Sequence, residues 1–395
     1  MVRHLYIHIP FCVRRCSYCD FSIAVRKHVP GSEYVHAVLR ELDLLRNSPG
    51  WANPAAMPRG PEATGAHTGQ PRGPKATELE TLYLGGGTPS LLPGEALQEL
   101  LLAFQPLLGT DPEVTLESNP EDVTPANATA WRSAGVNRVS LGAQSFNDRA
   151  LQWMHRSHDA ARIGDAVRTL RGAGIENISL DLIFALPEEL HRDWPRDLDQ
   201  AISLLPSHIS LYGLTVEPRT PLDRWISRGA THLPPDERYA DEYLLAHRRL
   251  TAEGFQFYEV SNAARDGFRS RHNSAYWSGR SYLGLGPAAH SFDGRSRRWN
   301  IPAWEAYRRA IAEGRSPVES EEVLTPEQEK LEGAYLALRT SEGLPLSIVP
   351  SVHLSAWLGA GWVVRQGERL RCTPEGWLRL DELVAKLFVA KELAS

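Results

Sequence analysis

Short apolar runs alternating with amphipathic helical stretches constrain this chain more than any other feature. HLYIHIPF (4–11), LETLYLGG (79–86), EVTLES (113–118), RVSLGAQS (138–145), NISLDLIFA (177–185) and HISLYGL (208–214) read as strands. Helical patterns lie between them. SEYVHAVLRELDLL (32–45) carries Val35, Val38, Leu39, Leu42 and Leu45 on one stripe, with Ser32 as the expected N-cap. A helix opens at Pro93 and runs through LQELLLAF. In ARIGDAVRTLRGAG (161–174), Ile163, Ala166, Val167 and Leu170 share a face, and Gly172 or Gly174 would end the helix. Strands alternating with helices imply parallel βαβ units with right-handed crossovers. Six in series point to an α/β fold, a full or partial (βα)6 barrel of TIM-like type. In such folds chemistry collects at the C-terminal ends of the strands. The cysteines that follow the first strand, the glycine turn at 85–87 and Gln144 all fall at such ends.

The rhythm sets the expected domains. Residues 1–216 form the barrel, and 47–77 interrupt it. That interruption, rich in Pro, Gly, Ala and Thr, holds too few large aliphatics to order itself and is expected to be a flexible insert. Residues 217–315 form an extension. It contains a helix over 236–254, with Tyr239, Tyr243, Ala246 and Leu250 inward, and a strand in FQFYEVSN (255–262). Residues 316–395 hold a helix, a hairpin turning near Gly367 and a final helix, a small winged-helix-like domain.

Cys12, Cys16 and Cys19 fall within IPFCVRRCSYCDF, and the only other cysteine is Cys372. A disulfide scaffold would spread more cysteines over a shorter secreted chain, so this loop favours metal. Three thiolates can hold three irons of a [4Fe–4S] cube and leave the fourth open to an outside ligand. Zinc is the competing reading, with His8 as a fourth ligand in place of a second cysteine pair. The net charge of −5 gives no basic field for a nucleic-acid partner. No apolar run reaches the roughly 18 residues needed to cross a bilayer, so the chain is expected not to be an integral membrane protein. MVRHLYIHIPF lacks the h-region of a secretory signal, and the expected compartment is the cytoplasm.

YIHIPFCVRRCSYCDF resembles the signature of the radical S-adenosylmethionine (SAM) proteins, and within them the oxygen-independent coproporphyrinogen III oxidase family. The likeness continues in order through LYLGGGTPSLL (82–92), ESNP (117–120), SLGAQSF (140–146), RSH (156–158), LDLIFALP (180–187), LYGLTVEPRTPL (211–222), YEVSN (258–262), HNSAYW (272–277) and LGLGPAAHSF (283–292). The resemblance implies a radical SAM barrel, a [4Fe–4S] cluster on Cys12, Cys16 and Cys19, and SAM on its open iron. It implies that the turn at Gly86, Gly87 and Thr88 holds the methionine end of SAM. Tyr6, Tyr18, Glu117, Gln144, Arg156 and Asp181 match further family contacts to SAM. Taken alone, each of these is an ordinary core, rim or capping residue. No residue is singled out as catalytic.

The oxidase branch typically continues C-x3-C-x2-C-x-C and carries a longer leader. Here Phe21 stands at the fourth cysteine's place and the first cysteine is residue 12. Both departures resemble the HemW branch of heme chaperones, whose HNxxYW motif matches His272, Tyr276 and Trp277. That likeness implies heme as a further ligand, with His272, Tyr276 and Trp277 as its contacts and His290 as a second candidate ligand. A polar-edged core is the alternative use of the same side chains. The implied partners are a heme acceptor protein and a reductant. The competing activity is that of an oxygen-independent coproporphyrinogen III dehydrogenase, which decarboxylates its substrate to protoporphyrinogen IX. Ala185, Glu189 and Ala263 depart from the family's usual glycine, glutamine and aromatic residue.

Overall fold

A computed structural model describes residues 2–47 and 78–389. The insert expected over 47–77 therefore lies, Asn47 apart, outside the described residues. The six barrel strands are β1 (His4–Ile9), β2 (Leu79–Gly86), β3 (Leu108–Ser118), β4 (Arg138–Gln144), β5 (Asn177–Phe184) and β6 (His208–Gly213). They lie side by side in chain order and pair in parallel throughout. Helices α1 (Gly31–Arg46), α2 (Gly94–Phe104), α3 (Pro125–Ser133), α4 (Ala160–Gly172) and α5 (Trp194–Ser203) make the crossovers. The ring does not close on itself. One edge is taken by β9 (Leu283–Leu285), parallel to β1, and the other by β8 (Asn262–Ala264) and β7 (Gln256–Glu259), both antiparallel. The result is a partial barrel within one nine-stranded sheet.

Period-two alternation divides the sheet's faces. Leu5, Ile7, Ile9, Leu82, Leu84, Leu116, Leu141 and Leu180 are fully buried in one core with Val35, Val38, Leu100, Ile163 and Leu170 from the helices. The alternate residues are polar and meet across the barrel. Tyr83 donates to Glu117, Ser140 and Ser179 donate to Asp181, and Ser179 bonds His208. Apolar packing thus holds the outer wall, while the interior keeps hydrogen-bonding groups for chemistry.

Two local expectations change. Helix α1 starts at Gly31 with Pro30 at the cap position and no side-chain cap, so Ser32 lies inside the first turn. FQFYEVSN holds β7 and only the first residue of β8, because the chain turns back at Val260–Ser261 and the two short strands pair antiparallel. Gly174, at φ +82°, does end α4: its N–H bonds the Arg171 carbonyl and that of Ile175 bonds Leu170.

Beyond the sheet edge lie α6 (Arg271–Trp277), α7 (Pro326–Arg339), a helix over Ser351–Gly359, a hairpin of Val363–Gln366 with Arg369–Cys372, and a last helix, Leu380–Val389.

Candidate functional site

At the C-terminal ends of the strands is a cavity of about 630 Å3. One wall is the cysteine loop. Phe11–Cys12 pairs in parallel with Ala24–Val25, so both ends of the loop are tied together. Its middle is pinned by Ser17, whose N–H reaches the Met154 carbonyl and whose carbonyl accepts from Leu222. Cys12 is buried, with its Sγ 3.4 Å from Thr88 Oγ1; Cys16 and Cys19 are half-buried. Arg156 Nη1 lies 3.6 Å from Cys16 Sγ. Burial pushes the Cys12 thiol up and the Cys19 thiol up to about 11.

Among the described residues, no three His, Cys, Asp or Glu side chains converge closely enough to hold a single metal ion. The three thiols instead share one wall of a roomy cavity. That suits a cluster with one thiolate per iron and does not suit a closed tetrahedral zinc. His8, the possible fourth zinc ligand, is absent from the cavity lining. Its Nδ1 is 3.1 Å from Tyr6 Oη and its Nε2 is 3.1 Å from the Ser22 carbonyl.

The glycine turn faces the loop across the cavity. Gly86 has φ +117°, and a Cβ there would sit 2.8 Å from the His8 ring. A Cβ on Gly87 would sit 2.8 Å from the backbone of Pro10 and Phe11. Glycine is thus required twice over, for conformation and for close passage beside the cysteine loop. Glu117 is held by Tyr83 Oη at 2.8 Å and by the Gly86 N–H at 3.0 Å, and burial raises its pKa to about 7. Asp181, also raised by burial, accepts from Ser140 at 3.0 Å and from Ser179 at 3.2 Å. Gln144 ends β4 at φ +66°, a costly conformation for a non-glycine residue. Arg156 donates to Asn119 Oδ1 and to the Gly142 carbonyl. Tyr18, Gly86, Gly87, Thr88, Glu117, Gln144, Arg156 and Asp181 therefore line one cavity with all three cysteines. Tyr6 does not.

Tyr6 belongs to a second cleft, of about 550 Å3, with Tyr276, Trp277 and His290. The two cavities share Phe21, Gly86 and Glu117. His272 lies behind this cleft, fully buried, and burial holds its pKa far below the usual imidazole value. Its Nδ1 is 2.7 Å from Thr81 Oγ1, its Nε2 is 2.8 Å from Tyr276 Oη, and its ring stacks on Tyr83. Both nitrogens are engaged. Trp277 packs under the Arg339 guanidinium at 4.1 Å.

Residues 72–201 match the Radical SAM superfamily model. The chain is 38% identical to heme chaperone HemW of Synechocystis over 366 residues, covering 88% of this chain and 80% of that protein. It is 35% identical to HemW of Mycobacterium tuberculosis, covering 97% and 94% respectively. Coproporphyrinogen III oxidase (HemN) from Escherichia coli shares the fold, with a TM-score of 0.75 at 21% identity over 97% of this chain and 89% of that one. The chain belongs to the HemW family.

Within this HemW-family chain, the residue that replaces the fourth cysteine has a definite place. Phe21 is 59% exposed at the junction of the two cavities, an unusual position for a large aromatic. Ala185 sits at φ +57°, where glycine would be unstrained, and its N–H bonds Glu242 Oε2 at 2.7 Å. Asn119, Ser140 and Tyr212 also line the first cavity, although none is among the expected contacts. Asn119 stands two positions after Glu117 inside ESNP. Ser140 and Tyr212 lie on the same alternation as their polar neighbours, a signal available at the strand ends.

Proposed function

We propose that this chain is a heme chaperone that carries heme together with a SAM-liganded [4Fe–4S] cluster and passes heme to an acceptor protein. The observation that carries this reading is the first cavity, where three thiols from one loop meet a glycine turn and a set of buried hydrogen-bonding groups. Cys12, Cys16 and Cys19 would each hold one iron. The backbone at Gly86, Gly87 and Thr88 would take the methionine end of SAM. Glu117, Gln144 and Asp181 offer acceptors for ammonium or hydroxyl donors, and Arg156 holds Cys16 and Asn119 in place. When bound, the reduced cluster supplies the electron that SAM chemistry requires. Tyr18, between Cys16 and Cys19 in the loop, lines the same cavity.

The same reading makes residues 1–216 the radical SAM barrel and 217–315 the heme-associated region. The C-terminal order of α7, a short strand at Leu344–Pro345, the helix Ser351–Gly359, the hairpin and the last helix supports a winged-helix-like unit over 316–395. A cytoplasmic location accords with the described residues, which contain no helix long and apolar enough to cross a membrane. An external reductant would serve the cluster.

The test is anaerobic reconstitution followed by incubation with coproporphyrinogen III, SAM and a reductant, beside a spectral titration with hemin. Stoichiometric heme binding without protoporphyrinogen IX is the expected result. Formation of protoporphyrinogen IX would overturn the chaperone reading, and so would the absence of heme binding.

A further inference from the structure

Two neighbouring barrel strands finish on left-handed residues that are not glycine. Gln144 closes β4 at φ +66°, and Ala185 follows β5 at φ +57°. Such a conformation persists only where its surroundings fix it. At Gln144 the pairing with β5 also shifts register, between Leu141 and Gln144. An irregularity of that kind re-aims a side chain. The Gln144 amide passes so near Gly142 that a Cβ there would sit 2.9 Å from Gln144 Nε2 and 3.1 Å from Arg156 Nη2. Gly142, Gln144 and Arg156 all line the first cavity.

One buried chain of charges reaches both strand ends. Asp197, in the first turn of α5, accepts the Phe146 N–H on Oδ1 at 3.0 Å and the Ser145 hydroxyl on Oδ2 at 2.6 Å. The Ser145 oxygen in turn accepts the Asn147 N–H at 3.1 Å. A single carboxylate thus holds the turn that follows Gln144. Arg192 stands between this carboxylate and Glu242, with Nη1 3.9 Å from Asp197 Oδ2 and Nη2 bonded to Glu242 Oε2. Glu242 belongs to the helix Asp236–Ala252; the same Oε2 accepts the Ala185 N–H at 2.7 Å, and Oε1 accepts from Arg238 Nε at 3.1 Å. The side chains of Arg192, Asp197 and Glu242 are 0%, 3% and 10% exposed, and none lines the first cavity or the second cleft. Apolar residues of similar volume are often as stable as a buried ion pair. What the charges add here is direction, since the carboxylates are aimed at particular N–H and O–H groups.

Resting on the reading of the first cavity as a SAM site, we infer that Asp197, Arg192 and Glu242 are positioning residues that hold Gln144 and the end of β5 in the shape that receives SAM. They act through Gln144 and touch no ligand themselves. They also tie that shape to the 217–315 extension, which supplies Glu242. The same helix sets Tyr239 against Gly213 at the end of β6, leaving no room for a Cβ there, and Gly213 lines the first cavity too. The ends of β4, β5 and β6 therefore take their final form from one helix outside the barrel.

The experiment is equilibrium titration of the anaerobically reconstituted protein with SAM, with cluster absorbance measured on each variant. Asp197→Asn keeps the size of the side chain and removes the charge facing Arg192. It is expected to weaken SAM binding about tenfold while cluster absorbance stays at the wild-type level. Ser145→Ala leaves every buried charge paired and is expected to weaken SAM binding several-fold. The deciding readout is a double-mutant cycle: in a Gln144→Ala background, Asp197→Asn and Ser145→Ala are each expected to cost little more, because their effect runs through Gln144. A merely structural role would give the full loss again in that background, and such additivity would overturn the inference. Wild-type SAM affinity in both single variants would overturn it as well. Failure of the wild-type protein to bind SAM would instead overturn the reading of the first cavity.

Discussion

Cys16 and Cys372 show how far the same side chain can differ by position. Cys16 faces the cavity beside Arg156, whereas Cys372 is buried on the C-terminal hairpin opposite Val363, and burial pushes its thiol up to about 12. A thiol of that kind is inert. Cys16→Ser is therefore expected to abolish iron–sulfur absorbance after anaerobic reconstitution, and Cys372→Ser to leave it intact. A cluster lost in Cys372→Ser would contradict the three-cysteine site. At this scale the sequence was most legible, because C-x3-C-x2-C and the glycine triplet are local. The role of a lone histidine was not. His272 Nδ1 is partnered by Thr81, 191 positions away, and no local pattern reports that this nitrogen is taken.

Among the elements, α1 has a function that its amphipathic pattern conceals. Glu41 lies on the buried face, where apolar residues are expected, and accepts from the Gly286 N–H at 2.8 Å, Asn300 Nδ2 at 2.6 Å and Tyr307 Oη at 2.6 Å. One carboxyl thus ties the barrel's first helix to three points of the 286–307 segment. Removing it would orphan three buried donors, and Glu41→Ala is expected to cost about 3 kcal/mol in urea unfolding. Burial raises the pKa of Glu41 from 4.5 to about 7, so the folded state holds its proton more tightly than the unfolded chain does. The stabilisation is complete below the unfolded value and is lost as pH rises through the folded one. Unfolding free energy should thus fall by up to roughly 3 kcal/mol from acidic to mildly alkaline pH. Glu41→Gln should remove that part of the slope; an unchanged slope would refute the assignment.

Across the whole molecule, the C-terminal region braces the barrel's open edge. Arg339, at the end of α7, reaches Glu259 Oε2 at 2.8 Å and covers the Trp277 ring. The Glu259 side chain is fully buried. Arg339→Ala leaves that carboxylate uncompensated and is expected to destabilise the protein by about 3–5 kcal/mol, with Arg339→Lys recovering part of the loss in the same unfolding measurement. An effect below about 1 kcal/mol, the scale of a surface pair, would show that the brace contributes little. The sequence by itself determined the α/β class, the order of the six strands, the cysteine loop and most of the first cavity, because period and motif are properties of neighbouring residues. It could not determine how the sheet's edges are finished, that both nitrogens of His272 are engaged, or that Phe21 stands between two cavities. Those were decided by the tertiary structure alone, since exposure and hydrogen-bond partnership depend on residues that meet only when distant strands are brought side by side.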